Sequence, residues 1–139
     1  MEVKIDDYGL MKFSEKEIAG FVKVELPLTH NDIETIMVTA IEGGIGYWAC
    51  LINEGKEWDR KPKGVPSSQW ATQLLLEGKE VVFEDEEDGK TLKLTLQKLI
   101  KGFGLNYKNR PHDNDLENGD SNTSDAIIQY ALFGDVIYG

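Results

Sequence analysis

The chain has one cysteine, two histidines, four prolines and no apolar run approaching the length that crosses a bilayer. Each scarcity closes off a class. With Cys50 alone, an intramolecular disulfide and a cysteine-rich zinc site are excluded, which suits a reducing cytoplasm, the expected location. Cys50 lies in the apolar stretch Ile45 to Ile52 and is expected to be buried and inert. His30 and His112 have no second ligand at a recognisable spacing, so neither a metal nor another cofactor is expected. The N-terminal stretch carries acids where a secretory signal needs a basic start and an apolar segment. Cations are scarce as well: 15 Lys and Arg against 25 Asp and Glu give a formal net charge of −10. Such a chain repels phosphate, so direct DNA or RNA binding is disfavoured.

What remains is enough for one core. At 139 residues and 40% hydrophobic content, the expectation is a single α+β domain spanning 1–139. It should hold a small mixed sheet with a β-hairpin and about four short helices packed on it. The charge is unevenly placed. From Gly89 to His112 stand Lys90, Lys93, Lys98, Lys101, Lys108 and Arg110 with no acid among them. The acidic run Glu84 to Asp88 precedes this segment, and Asp113, Asp115, Glu117, Asp120 and Asp125 follow it.

Phe21 to Leu26 alternates apolar and charged residues, the mark of a half-buried strand. Thr29-His-Asn-Asp32 is a capping-box variant opening a helix whose Ile33, Ile36, Met37 and Ala40 share a face, with Gly43-Gly44 as its end. Ile45 to Ile52 reads as a buried strand, which would send Tyr47 and Trp48 to opposite faces. Lys56 to Pro66 reads as a loop exposing Trp58 and Arg60, and Ser67 or Ser68 as the cap of a short helix closed by Gly78. Glu80 to Asp85 and Thr91 to Thr95 form a hairpin around Asp88-Gly89. Thr95 caps a helix that Gly102 and Gly104 end, and a polar loop runs from about 106 to 122. A last helix covers about Ser124 to Phe133, stopped by Gly134, and Val136 to Tyr138 adds a final strand or packs a subunit boundary.

Gly44-Ile-Gly46-Tyr-Trp-Ala49 matches the letters of a dinucleotide fingerprint, but here a helix leads into a strand and the amides face the wrong way. Asp113-x-Asp115-x-Glu117 lacks the glycine and the twelfth-position glutamate of a calcium loop. Two scattered histidines offer no base for a serine or cysteine nucleophile, so no enzyme signature is present. The localised cations and aromatics point instead to an anion site: Lys98, Lys101, Lys108 and Arg110 with Tyr107, joined by Trp48, Tyr47 and Arg60. The alternative use of the cations is to neutralise the acidic runs on either side.

Asp32 to Trp48, with its Glu-Gly-Gly-Ile-Gly-Tyr-Trp48 ending, Lys93 to Phe103, and Tyr130-Ala-Leu-Phe-Gly-Asp-Val-Ile-Tyr-Gly139 together resemble a family of small proteins of Firmicutes phages and prophages. The resemblance spans about the last four-fifths of the chain and supplies no catalytic residue. It implies counter-defence, control of host machinery, or an accessory role. One expectation is a sponge that sequesters a nucleotide-derived immune signal, cyclic or of ADP-ribose type, without cleaving it. The alternatives are an acidic mimic of nucleic acid that occupies a basic host protein, as some anti-CRISPR proteins do, and a phage structural or assembly factor. Partners are then a small nucleotide-like ligand and further copies of the chain, a homo-oligomer, with no membrane.

Overall fold

Local chemistry starts the first helix where the capping box predicts. In the computed structural model, which describes residues 5–12, 14–117 and 120–139, the Thr29 hydroxyl accepts the Asp32 N–H at 3.1 Å. The Asp32 carboxylate accepts the Thr29 N–H at 2.9 Å. Helix α1 (His30–Thr39) buries Ile33, Ile36 and Met37 on one face. A π-helical turn, Ala40–Gly44, continues it without a break, so the helical run ends at the paired glycines as the sequence predicts. The start of the N-terminal stretch, residues 1–4, lies outside the described residues, as do 13, 118 and 119.

A short strand follows, β1 (Ala49–Leu51). The expected strand is longer because Ile45 to Trp48 are apolar, but these residues turn: Trp48 N–H and Ala49 N–H both donate to the Ile45 carbonyl, at 3.0 and 2.9 Å. Cys50 is exposed on this edge strand, against the expectation of burial. Lys56–Asp59 forms a single helical turn, α2, where a loop is expected. Trp58 there packs partly buried against the core instead of standing free. Helix α3 (Ser67–Leu76) buries Trp70, Ala71, Leu74 and Leu75, and Gly78 follows it at positive φ, 86°.

The hairpin forms as read, β2 (Val81–Asp85) and β3 (Thr91–Leu94), with Gly89 at φ 72° allowing the turn. The three strands pair in the order β1-β2-β3, antiparallel in both pairings, and Ala49 stands opposite Asp85. Helix α4 (Leu96–Asn109) is capped by Thr95, whose hydroxyl accepts Lys98 N–H at 3.2 Å. Helix α5 (Ser121–Phe133) is capped by Asp120 and ended by Gly134 at φ 77°.

Helix α4 runs straight through Gly102 and Gly104, which the sequence reading takes as its end. Gly102 is there for contact. A Cβ on it would lie 2.6 Å from the Ile127 carbonyl and 2.7 Å from Ala131 N, so α4 and α5 approach backbone to backbone. Gly44 does the same from the other side, where a Cβ would sit 2.7 Å from the Ser121 carbonyl. The polar connection consequently shrinks to residues 110–120. The core between sheet and helices holds Trp48, Phe83, Leu74, Leu94, Leu99 and Ile127. The protein is a single compact domain of mixed helix and sheet.

Among the described residues one expected strand is absent, and so is the strand that is one of two alternatives for Val136 to Tyr138. Phe21 to Leu26 has the alternation but no ladder partner among the described residues, and a strand exists only where another accepts its backbone. Val136 to Tyr138 is also irregular, held by side chains and not by a sheet.

Candidate ligand-binding cleft

A cleft of about 340 Å³ opens where four parts of the chain converge. Tyr47 comes from the turn before β1 and Arg110 from the residue that closes α4. Asn122 and Asp125 belong to the start of α5, and Tyr138 and Gly139 to the tail. The volume lies near the lower end of small-molecule sites, roughly 300–1,000 Å³.

Asp125 organises the floor. Although it interrupts an apolar helix face and is only 7% exposed, its carboxylate accepts three hydrogen bonds. Tyr47 Oη donates at 2.6 Å, Trp48 Nε1 at 2.8 Å and Gln129 Nε2 at 2.9 Å. A buried carboxylate survives only with such satisfaction. Because Ile45 to Trp48 turn instead of extending, Tyr47 and Trp48 reach the same carboxylate, where strand geometry would send them apart. Loss of water around the Tyr47 hydroxyl, reinforced by its bond to Asp125, pushes that phenol up to about 12.

Gln129, fully buried, fixes the tail. Its Oε1 accepts the backbone N–H of Ile137 and of Tyr138, both at 2.8 Å. Tyr138 then stacks on Trp48, with centroids 5.2 Å apart and planes 20° apart. Its hydroxyl donates to Asp85 Oδ2 at 2.7 Å. The bond to Asp85 and partial burial push the Tyr138 phenol up to about 12. Asp85, in the middle of the acidic hairpin run, is therefore buried and committed.

Comparison with family models, curated proteins and solved structures returns no match. The site is thus read from its own atoms.

The far wall is Arg110. Its guanidinium pairs with Asp113, whose carboxylate is also bonded by the Thr123 hydroxyl. The Thr123 bond first, and the Arg110 charge with it, hold the Asp113 carboxyl below its ordinary value. Asn114 and Asn106 brace the same turn: Asn114 Nδ2 donates to the Arg110 carbonyl and Asn106 Nδ2 to the Asp113 carbonyl. Two buried polar atoms have no hydrogen-bond partner among the described residues, Arg110 Nε and Asn106 Oδ1. The two residues stand one helical turn apart in sequence; Arg110 lines the cleft, and Asn106 is fully buried behind it.

Of the eight residues proposed from sequence, Tyr47 and Arg110 line this cleft, and Trp48 supports it from behind. The other five do not line it. Lys98 Nζ donates to the Lys93 carbonyl, and Lys101 and Lys108 lie exposed on α4. Tyr107 borders a separate apolar groove. Arg60 is bound to Glu57 and Glu77 at 2.6 and 2.7 Å and lies over the Trp70 ring at 5.4 Å. Bonds to the two glutamates hold the Arg60 guanidinium fully charged, so it is a surface clasp between α2 and α3. The cations do not converge because Lys98, Lys101 and Lys108 stand along the exposed side of α4, whereas Arg110, just past its end, turns to Asp113 and Arg60 belongs to the α2–α3 surface.

Sequence reasoning missed Asn122, Asp125, Gln129 and Tyr138. For Asp125 a signal existed. It is an acid immediately before Ala126-Ile127-Ile128, followed four residues later by Gln129, so two polar groups share one helix face next to a buried stripe.

Proposed function

We propose that this protein is a binding protein that holds a small nucleotide-type ligand in the cleft between Tyr47, Arg110 and Tyr138 and releases it unaltered. In a phage setting, which the resemblance of the Glu42 to Trp48 and Tyr130 to Gly139 segments favours, that activity would be sequestration of an immune signal. Those two segments supply the Tyr47 wall and the Tyr138 wall of one cleft.

The observation that carries the reading is that Arg110 lines a polar cleft and its buried Nε–H has no partner among the described residues. A buried guanidinium donor left unmet costs about 1–3 kcal/mol, and a phosphate or carboxylate oxygen meets it best. One arginine faces the cleft, and Asp113 already takes part of its charge. The geometry therefore favours a ligand presenting a single anionic group there, with its ring against the Tyr47 side, over a polyphosphate.

Holding without cleavage follows from the state of the other groups. At neutral pH a phenol with a pKa of about 12 is protonated and a poor nucleophile. The Asp125 oxygens are occupied by three donors and are badly placed to act as a base. The acidic-mimic reading has less support, because Asp85 is buried against Tyr138 and Asp88 lies 4.0 Å from Lys90.

Calorimetry against nucleoside monophosphates, cyclic dinucleotides and cyclic ADP-ribose isomers tests the proposal. At least one should bind at about micromolar affinity or tighter, lose that affinity in Arg110→Gln, and be recovered intact after heat release. Absence of binding across the set, or recovery of a hydrolysed product, overturns it.

A further inference from the structure

A second face of the molecule carries an apolar groove, away from the cleft. Val24, Leu26 and Leu28 lie against the outer side of α4, and with Ile100, Phe103 and Tyr107 they bound an apolar groove of about 280 Å³. Ile100 and Tyr107 are roughly half exposed there. The floor between them is Gly104. Glycine inside a helix costs about 1 kcal/mol relative to alanine. Gly102 has a reason within the chain for that cost, but Gly104 has none: a Cβ on it would meet nothing within 4 Å. The space above Gly104 is open.

The same chain carries a segment that lacks a groove. Just upstream of Val24, Phe21 and Val22 are 89% and 88% exposed, and Ile18 is exposed as well. These are neighbouring large apolar residues on an arm with no strand partner. Soluble monomers rarely leave such a run in water. The charges agree with a match between the two. Lys101 and Lys108 lie on the Gly104 side of α4 at helical spacing, whereas Glu15 and Glu17, with Lys16 between them, leave the arm just before Ile18 net negative.

We propose that the groove over Gly104 receives the Ile18 to Val22 segment of a second copy, in a reciprocal exchange of arms that makes a two-fold dimer. Val24 to Leu28 stay on their own α4, and the arm upstream crosses to the partner, seating Phe21 above Gly104. An isologous contact uses each groove and each arm once, and leaves neither exposed. This surface is distinct from the cleft and from the Val136 to Tyr138 boundary that the sequence alone favours.

Light scattering on the full chain at tens of micromolar should give twice the monomer mass. Phe21→Glu and Gly104→Leu should each raise the dimer dissociation constant by on the order of 30-fold, the loss typical of a buried aromatic anchor. Their helical circular dichroism should be unchanged, and Gly104→Leu should melt no lower than the parent as a monomer. Opposite effects of one substitution on monomer and dimer are not expected of a purely structural glycine. In a Cys50→Ser background, Phe21→Cys chains mixed with Gly104→Cys chains should form a disulfide-linked heterodimer on oxidation. A monomeric mass for the parent, a dimer indifferent to both substitutions, or failure of the mixed Phe21→Cys and Gly104→Cys chains to form a disulfide-linked heterodimer each overturns the proposal.

Discussion

Apart from one isolated bridge between Ile5 and Met11, the arm over residues 5–12 and 14–28 and the tail over residues 136–139 are equally irregular, and both carry large apolar side chains. Their fates differ. In the tail, two backbone N–H groups find the Gln129 amide, one ring finds Trp48 and one hydroxyl finds Asp85. In the arm, Tyr8 and Phe21 stand in solvent. Regular structure is therefore not what orders a segment here; satisfied polar groups plus a ring contact are. Gln129 acts as a substitute strand edge, a single side chain doing for two residues what a ladder does for many.

The comparison is broken most severely at Gln129. Gln129→Leu leaves Ile137 N–H and Tyr138 N–H without their acceptor and removes a donor from buried Asp125. We expect a loss of about 3 kcal/mol in urea unfolding, with the tail becoming protease-sensitive like the arm. Asp125→Ala comes next, at about 2 kcal/mol, because Trp48 Nε1 stays buried and loses its acceptor. A change below about 0.5 kcal/mol in either variant would refute the view that these polar contacts hold the tail.

Alkali sharpens the same point without mutation. Tyr47 and Tyr138 have phenols raised from 10.0 to about 12, so the folded state favours their protonated forms. Their contribution is complete below pH 10 and is lost as pH rises through about 12. Unfolding midpoints should fall across that window. Tyr138→Phe should remove one of the two high phenolate transitions seen by ultraviolet titration. The smallest effect belongs to the arm's far end: Tyr8→Ser should change unfolding free energy by less than about 0.5 kcal/mol, since Tyr8 is exposed.

The sequence is legible where chemistry is local. Thr29 with Asp32, the turn at Gly89, the Ile33-Ile36-Met37 stripe and Gly134 act within a few residues, and each forms as read. It is illegible where a group meets a distant partner. Tyr138 meets Asp85 across 53 positions and Tyr47 meets Asp125 across 78, with no period to announce either. Gly102 misleads for the same reason, since its purpose is a contact with α5 and not the end of α4. Within the site, Arg110 and Tyr47 are found because a cation and an aromatic are conspicuous in an acidic chain. Asp125 is hidden among 25 acids.

The two glycines that admit α5 also govern how the molecule breathes. With Gly44 on one side and Gly102 on the other, α5 is gripped by backbone and has no pliable side chains at those contacts to cushion a displacement. Small local openings of this helix are therefore suppressed. In deuterated buffer its amides around Ile127 and Ile128 should exchange last in the protein, only when the whole domain unfolds, whereas arm amides exchange at once. The carboxylate and the amide that α5 carries, Asp125 and Gln129, are thereby kept in place.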